Sequence, residues 1–314
     1  MSHVSAPNGG PGAPVLAIDV GGTQIKSAVL DASGELGPIR RRPTPRSQED
    51  PGGAVVTAVT HLIAETAATT GIKAVGVAVP GHVDERAGLG IRSTNLGWRD
   101  YQFTGAFRAA TGLPVALAHD VRAAGDAESR IGAAQGFDDV AIVTIGTGIA
   151  AALRVAGRSY SGRGLAGELG HTVVAPDGPV CRCSRRGCLE AVASADAIAR
   201  RFGAESGAQV SGAIDVLRLA RAGDTLAAQV WRDAIAALVT GLAQLAALVA
   251  PQAVVIGGGL AEAGVDLLEP LRDGLAAACR PGTVPLLLPA RLGQDAGTWG
   301  AAFAARDLLA EPRQ

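Results

Sequence analysis

The sequence predicts an α/β protein of two domains that open in the same way. Three observations carry this. Residues 19–30 and 139–155 each read as strand, glycine–threonine turn, strand. Short apolar runs alternate with helical stretches along most of the chain, the pattern of largely parallel sheets covered by helices. A chain of 314 residues, 48% of them hydrophobic, is long and apolar enough for two separate cores.

Taken in order, VLAIDV at 15–20 is an apolar strand, and Gly21-Gly22-Thr23 follows it at once. A second strand resumes at Lys26, Asp31-Ala32-Ser33-Gly34 is a turn, and residues 36–42 form a third strand. A dinucleotide-binding unit needs a helix after the glycines, whereas GGTQIKSAVL is rich in β-branched residues and has no helical stripe. The alternative is a turn between two strands whose backbone N–H groups face oxygen anions, with Asp19, Gly21, Gly22, Thr23 and Lys26 as its residues. Lys26 is one of only two lysines in an arginine-rich chain, which suits a compact charge at such a turn.

Residues 51–70 are helical, and 74–79 is a buried strand closed by Pro80-Gly81. A loop with Asn95 and Trp98 leads to a helix near 103–111. Strand 115–118 then delivers His119-Asp120, and 123–132 is helical. The second set is strand 139–145, the turn Gly146-Thr147-Gly148 and strand 149–155. It echoes the first as a duplicated half, or as a coincidence of two hairpins in a glycine-rich chain. A long helix at 226–249, strand 253–256, the turn Gly257-Gly258-Gly259 and a last helix from about 297 to 309 complete the chain.

The expected organisation is a disordered Gly/Pro/Ser-rich tail at 1–14, a smaller domain at 15–122 and a larger one at 123–297. The helix at about 298–310 is expected to return to the smaller domain. Residues 1–14 lack the apolar core of a signal peptide. The uncharged stretch 234–250 is slightly short for a membrane span and reads as a buried helix. A formal net charge of −1 gives no reason to expect nucleic acid or a membrane surface as partner. The protein is expected in the cytoplasm.

Residues 167–190, GELGHTVVAPDGPVCRCSRRGCLE, hold three of the four cysteines. Cys181, Cys183 and Cys188 with His171 can close a tetrahedral structural zinc site. The alternatives are a disulfide with a spare thiol, which a chain without an export signal disfavours, or three unrelated buried cysteines, which a polar Arg-rich loop disfavours. Metal on one imidazole nitrogen fixes the other as a hydrogen-bonding N–H. Flanked by Glu168 and Glu190, such a ring suits a polyhydroxyl ligand.

Glu168-Leu169-Gly170-His171 followed by CRCSRRGCLE resembles the ROK family, repressors and kinases whose bacterial members are largely sugar kinases; Ser184 stands where the family usually has Gly. The two phosphate turns and the glycines at 257–259 match its nucleotide motifs, and 77–81 and Asn95-Leu96 its sugar motifs. The resemblance implies the two-domain, actin-like ATPase (ribonuclease H-like) fold with duplicated strand–turn–strand phosphate clamps. It further implies ATP and magnesium as cofactors beside structural zinc, a homodimer or homotetramer, and sugar contacts from Gly81, Asn95, Asp120, Glu168, His171 and Glu190. Asp120 falls at the family's catalytic aspartate, although Asp is also a favoured helix N-cap. His119 replaces the usual Asn as a candidate sugar contact, and Arg122 replaces a small or amide residue. The implied activity is ATP-dependent phosphorylation of a hexose at its 6-hydroxyl, glucose first, with N-acetylglucosamine or N-acetylmannosamine as alternatives. A sugar-sensing repressor is disfavoured, since only fourteen residues precede the first strand.

Overall fold

A strand covered on both faces needs apolar side chains at every position, and β1 (Val15–Val20) satisfies this everywhere except Asp19. A computed structural model describes residues 9–310. Two units divide the chain: residues up to 135, 161–165 and from 295 onward form the first, and 136–160 with 166–294 form the second.

In the first unit, β1 runs antiparallel to β2 (Gln24–Leu30), which pairs with the exposed edge strand β3 (Arg40–Pro43). Helix α1 (Pro51–Ala67), capped by the Asp50 side chain, leads to β4 (Ala74–Val79), which lies parallel to β1. Residues 82–102, expected to be a loop, instead form a three-stranded sheet of β5 (His82–Asp84), β6 (Leu89–Arg92) and β7 (Arg99–Gln102). Its strands are short and polar, so they lack the apolar signal that marks a strand. Trp98 and Phe103 anchor this sheet edge to face at 5.0 Å between ring centroids. Helix α2 (Phe103–Thr111), β8 (Val115–His119) and α3 (Asp120–Ile131) follow.

The second unit repeats the plan. Strand β9 (Val140–Ile145) pairs antiparallel with β10 (Ile149–Val155), and β10 with β11 (Arg158–Tyr160). Helices α4 (Leu189–Ala193), α5 (Ala195–Ser206), α6 (Ala213–Arg221) and α7 (Thr225–Val249) precede β12 (Ala253–Gly257). Helix α8 (Val265–Ala278) and β13 (Leu286–Pro289) come after it. Both β12 and β13 are parallel to β9's direction in the sheet. The sheet orders are β3-β2-β1-β4-β8 and β11-β10-β9-β12-β13. Each has an antiparallel meander on one side of the first strand and parallel strands on the other, so the duplication holds at the level of topology.

Helix α7 is long and apolar enough to cross a membrane by length and composition. Its buried stripe, including Val230, Trp231, Leu238, Leu242 and Leu245, is spent in the core of the second unit.

The chain ends with α9 (Ala296–Ala310), which returns to the first unit and packs on β1, β4 and β8 with one side and on α3 with the other. Small residues allow this: a Cβ at Gly76 would lie 1.7 Å from the Ala301 carbonyl oxygen, and one at Gly300 would lie 1.9 Å from that of Ala123. A boundary at 122/123 is therefore corrected. It would cut α3, which belongs whole to the first unit, as does the insertion 161–165. The expected disordered tail is corrected in part. Gly9 and Gly12 donate backbone hydrogen bonds to Gly34 and Ala32, and Arg306 donates to the carbonyls of Gly9, Gly10 and Ala13. Residues 1–8 lie outside the described residues.

Replacing Gly76 with Ala must push α9 off the sheet, because the opposing atom is backbone and cannot rotate away. Urea denaturation is expected to show a loss on the order of 3 kcal/mol, typical of overpacking against a rigid neighbour. Unchanged stability would mean that α9 does not sit against β4.

Candidate functional site

Parallel strands deliver the candidate residues of the first unit at their carboxyl ends, where α/β sheets characteristically bind ligands. Asp19 is next to last in β1, Gly81 follows β4, and Asp120 follows β8. Gly81 has φ +103°, and a Cβ there would lie 2.3 Å from the Arg92 carbonyl oxygen. Asn95 is exposed in the turn after β6.

The first turn is closed by Gly21 N donating to Gln24 O at 2.9 Å. Asp19 and Lys26 are cross-strand partners on the same face. Asp19 keeps some solvent access, yet burial pushes its carboxyl up to about 6, with Lys26 opposing the rise and Asp295 adding to it. Gly297, at the start of α9, has no side chain because a Cβ would lie 2.7 Å from Asp19 Oδ2.

In the second unit the corresponding turn is tighter by one residue: Gly146 N donates to Gly148 O at 2.9 Å. Gly258, φ +81°, brings the turn after β12 against β9: a Cβ there would lie 2.5 Å from the Ile145 carbonyl oxygen. Gly146–Gly148 and Gly257–Gly259 are therefore adjacent.

Residues 167–170 dock on β10 by backbone contact. Ala151 N donates to Gly167 O at 2.7 Å, and a Cβ at Gly170 would lie 2.2 Å from Ile149 O. Glu190, on α4, accepts from Ile149 N at 3.0 Å through Oε2 and leaves no room for a side chain at Gly148. Glu168 Oε2 lies 3.7 Å from His171 Nε2.

The donor atoms of His171, Cys181, Cys183 and Cys188 all fall within 4.8 Å of one another. Cys181 Sγ is 3.8 Å from His171 Nδ1, and Cys183 Sγ is 3.6 Å from Cys188 Sγ. Zinc–sulfur bonds of about 2.3 Å and zinc–nitrogen bonds of about 2.0–2.1 Å set tetrahedral edges of roughly 3.5–3.8 Å. These separations fit that figure. They are too long for a disulfide between Cys183 and Cys188, whose sulfurs would be about 2.05 Å apart. Gly187 makes the loop's sharpest approach, with φ +69° and a Cβ position 1.6 Å from Ala175 O. Ser184 adopts φ +71°, the left-handed region that favours glycine.

The ROK family profile matches residues 15–308. The chain belongs to the ROK family. It is 31% identical to a glucokinase of Streptomyces coelicolor over 93% of this chain and 97% of that one. It is 33% identical to an N-acetylmannosamine kinase of Shigella flexneri, over 93% and 98%. A ROK glucokinase from Streptomyces griseus, solved in complex with glucose and AMPPNP, superposes with a TM-score of 0.80 at 32% identity, covering 94% of this chain and all of that one.

Within this ROK chain, the segment around Asp120 departs from what the sequence suggests. His119, not Asp120, caps α3: its Nδ1 accepts from Arg122 N at 3.3 Å. Accepting at Nδ1 places the ring proton on Nε2, which faces Asp120 Oδ1 at 3.4 Å. His119 is only 8% exposed and both its ring nitrogens face partners, so in this structure it serves as a helix cap. Asp120 Oδ1 also accepts from Val121 N at 2.7 Å. Sequence reasoning missed Glu85, whose Oε1 accepts from His119 N at 2.8 Å and Arg122 Nε at 3.2 Å. The buried Arg122 guanidinium also donates to the carbonyls of Val83 and Gly164. A Glu and an Arg 37 residues apart give no local signal of their pairing.

Burial, with the Arg122 and His82 charges, pushes His119 down to about 3. The folded ring is therefore neutral, whereas the unfolded ring takes a proton near pH 6.5. Stability from this source is whole above pH 6.5 and is lost as pH falls from there toward 3, by up to about 1.4 kcal/mol per unit. Between pH 7.5 and 5.0 the native protein should lose about 1–2 kcal/mol more than His119→Asn in urea denaturation. Parallel losses in the two proteins would show that His119 is not held neutral.

Proposed function

We propose that this chain transfers the γ-phosphoryl group of ATP to the 6-hydroxyl of a hexose, with glucose as first substrate. The observation that carries the reading is Asp120. It stands at the carboxyl end of a buried strand, and His119 takes over the helix-capping role that would otherwise account for it. One carboxylate oxygen, Oδ1, is fixed by the Val121 amide and faces the His119 ring, which sets the plane of the group. Asp120 then accepts the proton of the sugar hydroxyl as that oxygen attacks phosphorus, a role worth about 10²–10⁴-fold in rate.

Each glycine–threonine turn offers backbone N–H groups suited to phosphate oxygens, and the glycines at 257–259 leave room for a nucleoside. Asp19 is a single, partly desolvated carboxylate, which suits magnesium held chiefly by phosphate oxygens and water. Magnesium, when bound, neutralises charge on the transferred group. Zinc fits the Cys3His set, with a structural role: it would hold His171 by Nδ1 and leave Nε2–H, beside Glu168, to donate to a sugar hydroxyl. Glu168 and Glu190 are the further hydroxyl contacts of the second unit, and Gly81 and Asn95 are the candidate contacts of the first.

A second reading, an N-acetylhexosamine kinase, is supported by the 33% identity to an N-acetylmannosamine kinase and by the absence of an Asn before Asp120. Comparing kcat/KM for glucose, mannose, N-acetylglucosamine and N-acetylmannosamine decides between them.

Asp120→Asn is expected to lower kcat by at least about 10²-fold while ATP and sugar affinities stay near native, because shape is kept and the base is lost. Turnover close to native in that variant would remove Asp120 from the chemistry.

Metal analysis of the purified protein should find about one zinc per chain. Cys183→Ser should lose it and cost several kcal/mol in thermal unfolding, part of the roughly 10–16 kcal/mol apparent binding free energy of structural zinc sites. Sugar affinity should fall with it as His171 loses its orientation. A metal-free native protein of full activity would overturn the zinc assignment.

A further inference from the structure

Pro43 ends β3, and the segment Thr44-Pro45-Arg46 that follows takes no part in the chemistry above. Pro45 pushes Thr44 toward extended backbone, and the alternation of an extended chain puts Thr44 and Arg46 on the same side of the segment. That side meets the back of the first phosphate turn. Thr44 Oγ1 donates to Gly21 O at 2.7 Å, Arg46 Nη2 to Gly22 O at 2.9 Å, and Thr44 N to Thr23 O at 3.0 Å. All three successive carbonyls of the turn are thus held by two residues.

A trans peptide points its C=O and N–H in opposite directions. Tying the Gly21 and Gly22 carbonyls toward the segment therefore turns the amides of Gly22 and Thr23 to the opposite face, as an anion-binding nest requires. Arg46 goes further. Its other terminal nitrogen, Nη1, donates to Asn95 O at 3.1 Å, in the turn that carries a proposed sugar contact.

We propose that Thr44 and Arg46 form a clasp behind the phosphate turn, and that Arg46 is the positioning residue joining the donor-binding turn to the acceptor-binding Asn95 turn. The functional half rests on the kinase reading. A planar fork can bond two carbonyls in fixed directions at once, and an ammonium cannot reproduce that geometry. Arg46 should matter for its shape more than its charge.

The test uses full-length Arg46→Lys, Arg46→Met and Thr44→Val. Amide hydrogen exchange reads the clasp without any ligand, and calorimetric titration reads ADP and glucose separately. Both Arg46 variants are expected to speed exchange in residues 21–24 and 93–97 together by about tenfold, and to weaken ADP and glucose binding by roughly five- to twentyfold each. Thr44→Val should speed exchange in 21–24 alone and weaken ADP alone. A native-like Arg46→Lys would reduce the residue to a point charge and overturn the proposal, as would exchange in 93–97 that does not respond to Arg46→Met. Should the native protein phosphorylate no hexose, the kinase reading fails on its own, while the exchange data still decide whether the clasp exists.

Discussion

Backbone resting on backbone, with no side chain between, is the constraint that the rest of this structure depends on. Gly76 meets Ala301, Gly300 meets Ala123, Gly170 meets Ile149, Gly187 meets Ala175 and Gly258 meets Ile145, each at a distance that forbids a Cβ. These contacts set how closely α9 lies on its sheet and how closely the Glu168–His171 segment and the turn after β12 approach β9 and β10. Side chains that bind or react hang from positions fixed in this way. Precision at such a site is a property of main chain, which has fewer ways to relax than packed side chains do.

The cluster at residues 168–190 shows how short-range chemistry is organised on that frame. Glu190 does two things at once: its carboxylate closes on the Ile149 amide at the second glycine–threonine turn, and its helix starts immediately after Cys188. The Cys3His knot and the glycine–threonine turn are thereby neighbours through one residue. His171 similarly shows one nitrogen to the cysteines and the other to Glu168. A ring shared in this way has a single usable tautomer.

Much of this was legible from sequence because the signals are local. The cysteine spacing, the two glycine–threonine turns, the apolar strands before them and the long helix at 226–249 all lie within windows of a few to a few tens of residues. What escaped is non-local or weakly patterned. Strands β5, β6 and β7 are three or four residues long and mostly polar, and the contacts of Trp98 and Tyr101 with Phe103 show what holds them. His119 reads from its neighbour as a ligand contact, and its burial becomes visible only when Glu85 and Arg122 close over it. Thr44 and Arg46 sit some twenty residues from the carbonyls they hold. The misplaced boundary at 122/123 has the same cause, since α3 is claimed by a helix at the other end of the chain.

That last arrangement bears on how the molecule is made. The first unit is written in three pieces, and its closing layer, α9, is the final helix of the described chain. The second unit, apart from the excursion at 161–165, is complete by residue 294. During synthesis from the amino terminus, strands β1, β4 and β8 therefore emerge early and wait with one face uncovered, while the later-starting unit can already assemble. Order of appearance at the ribosome and order of completion are reversed. The unit whose strands emerge earlier is the later one to be closed, and the exposed face of its sheet is the surface that most needs protection until α9 has emerged.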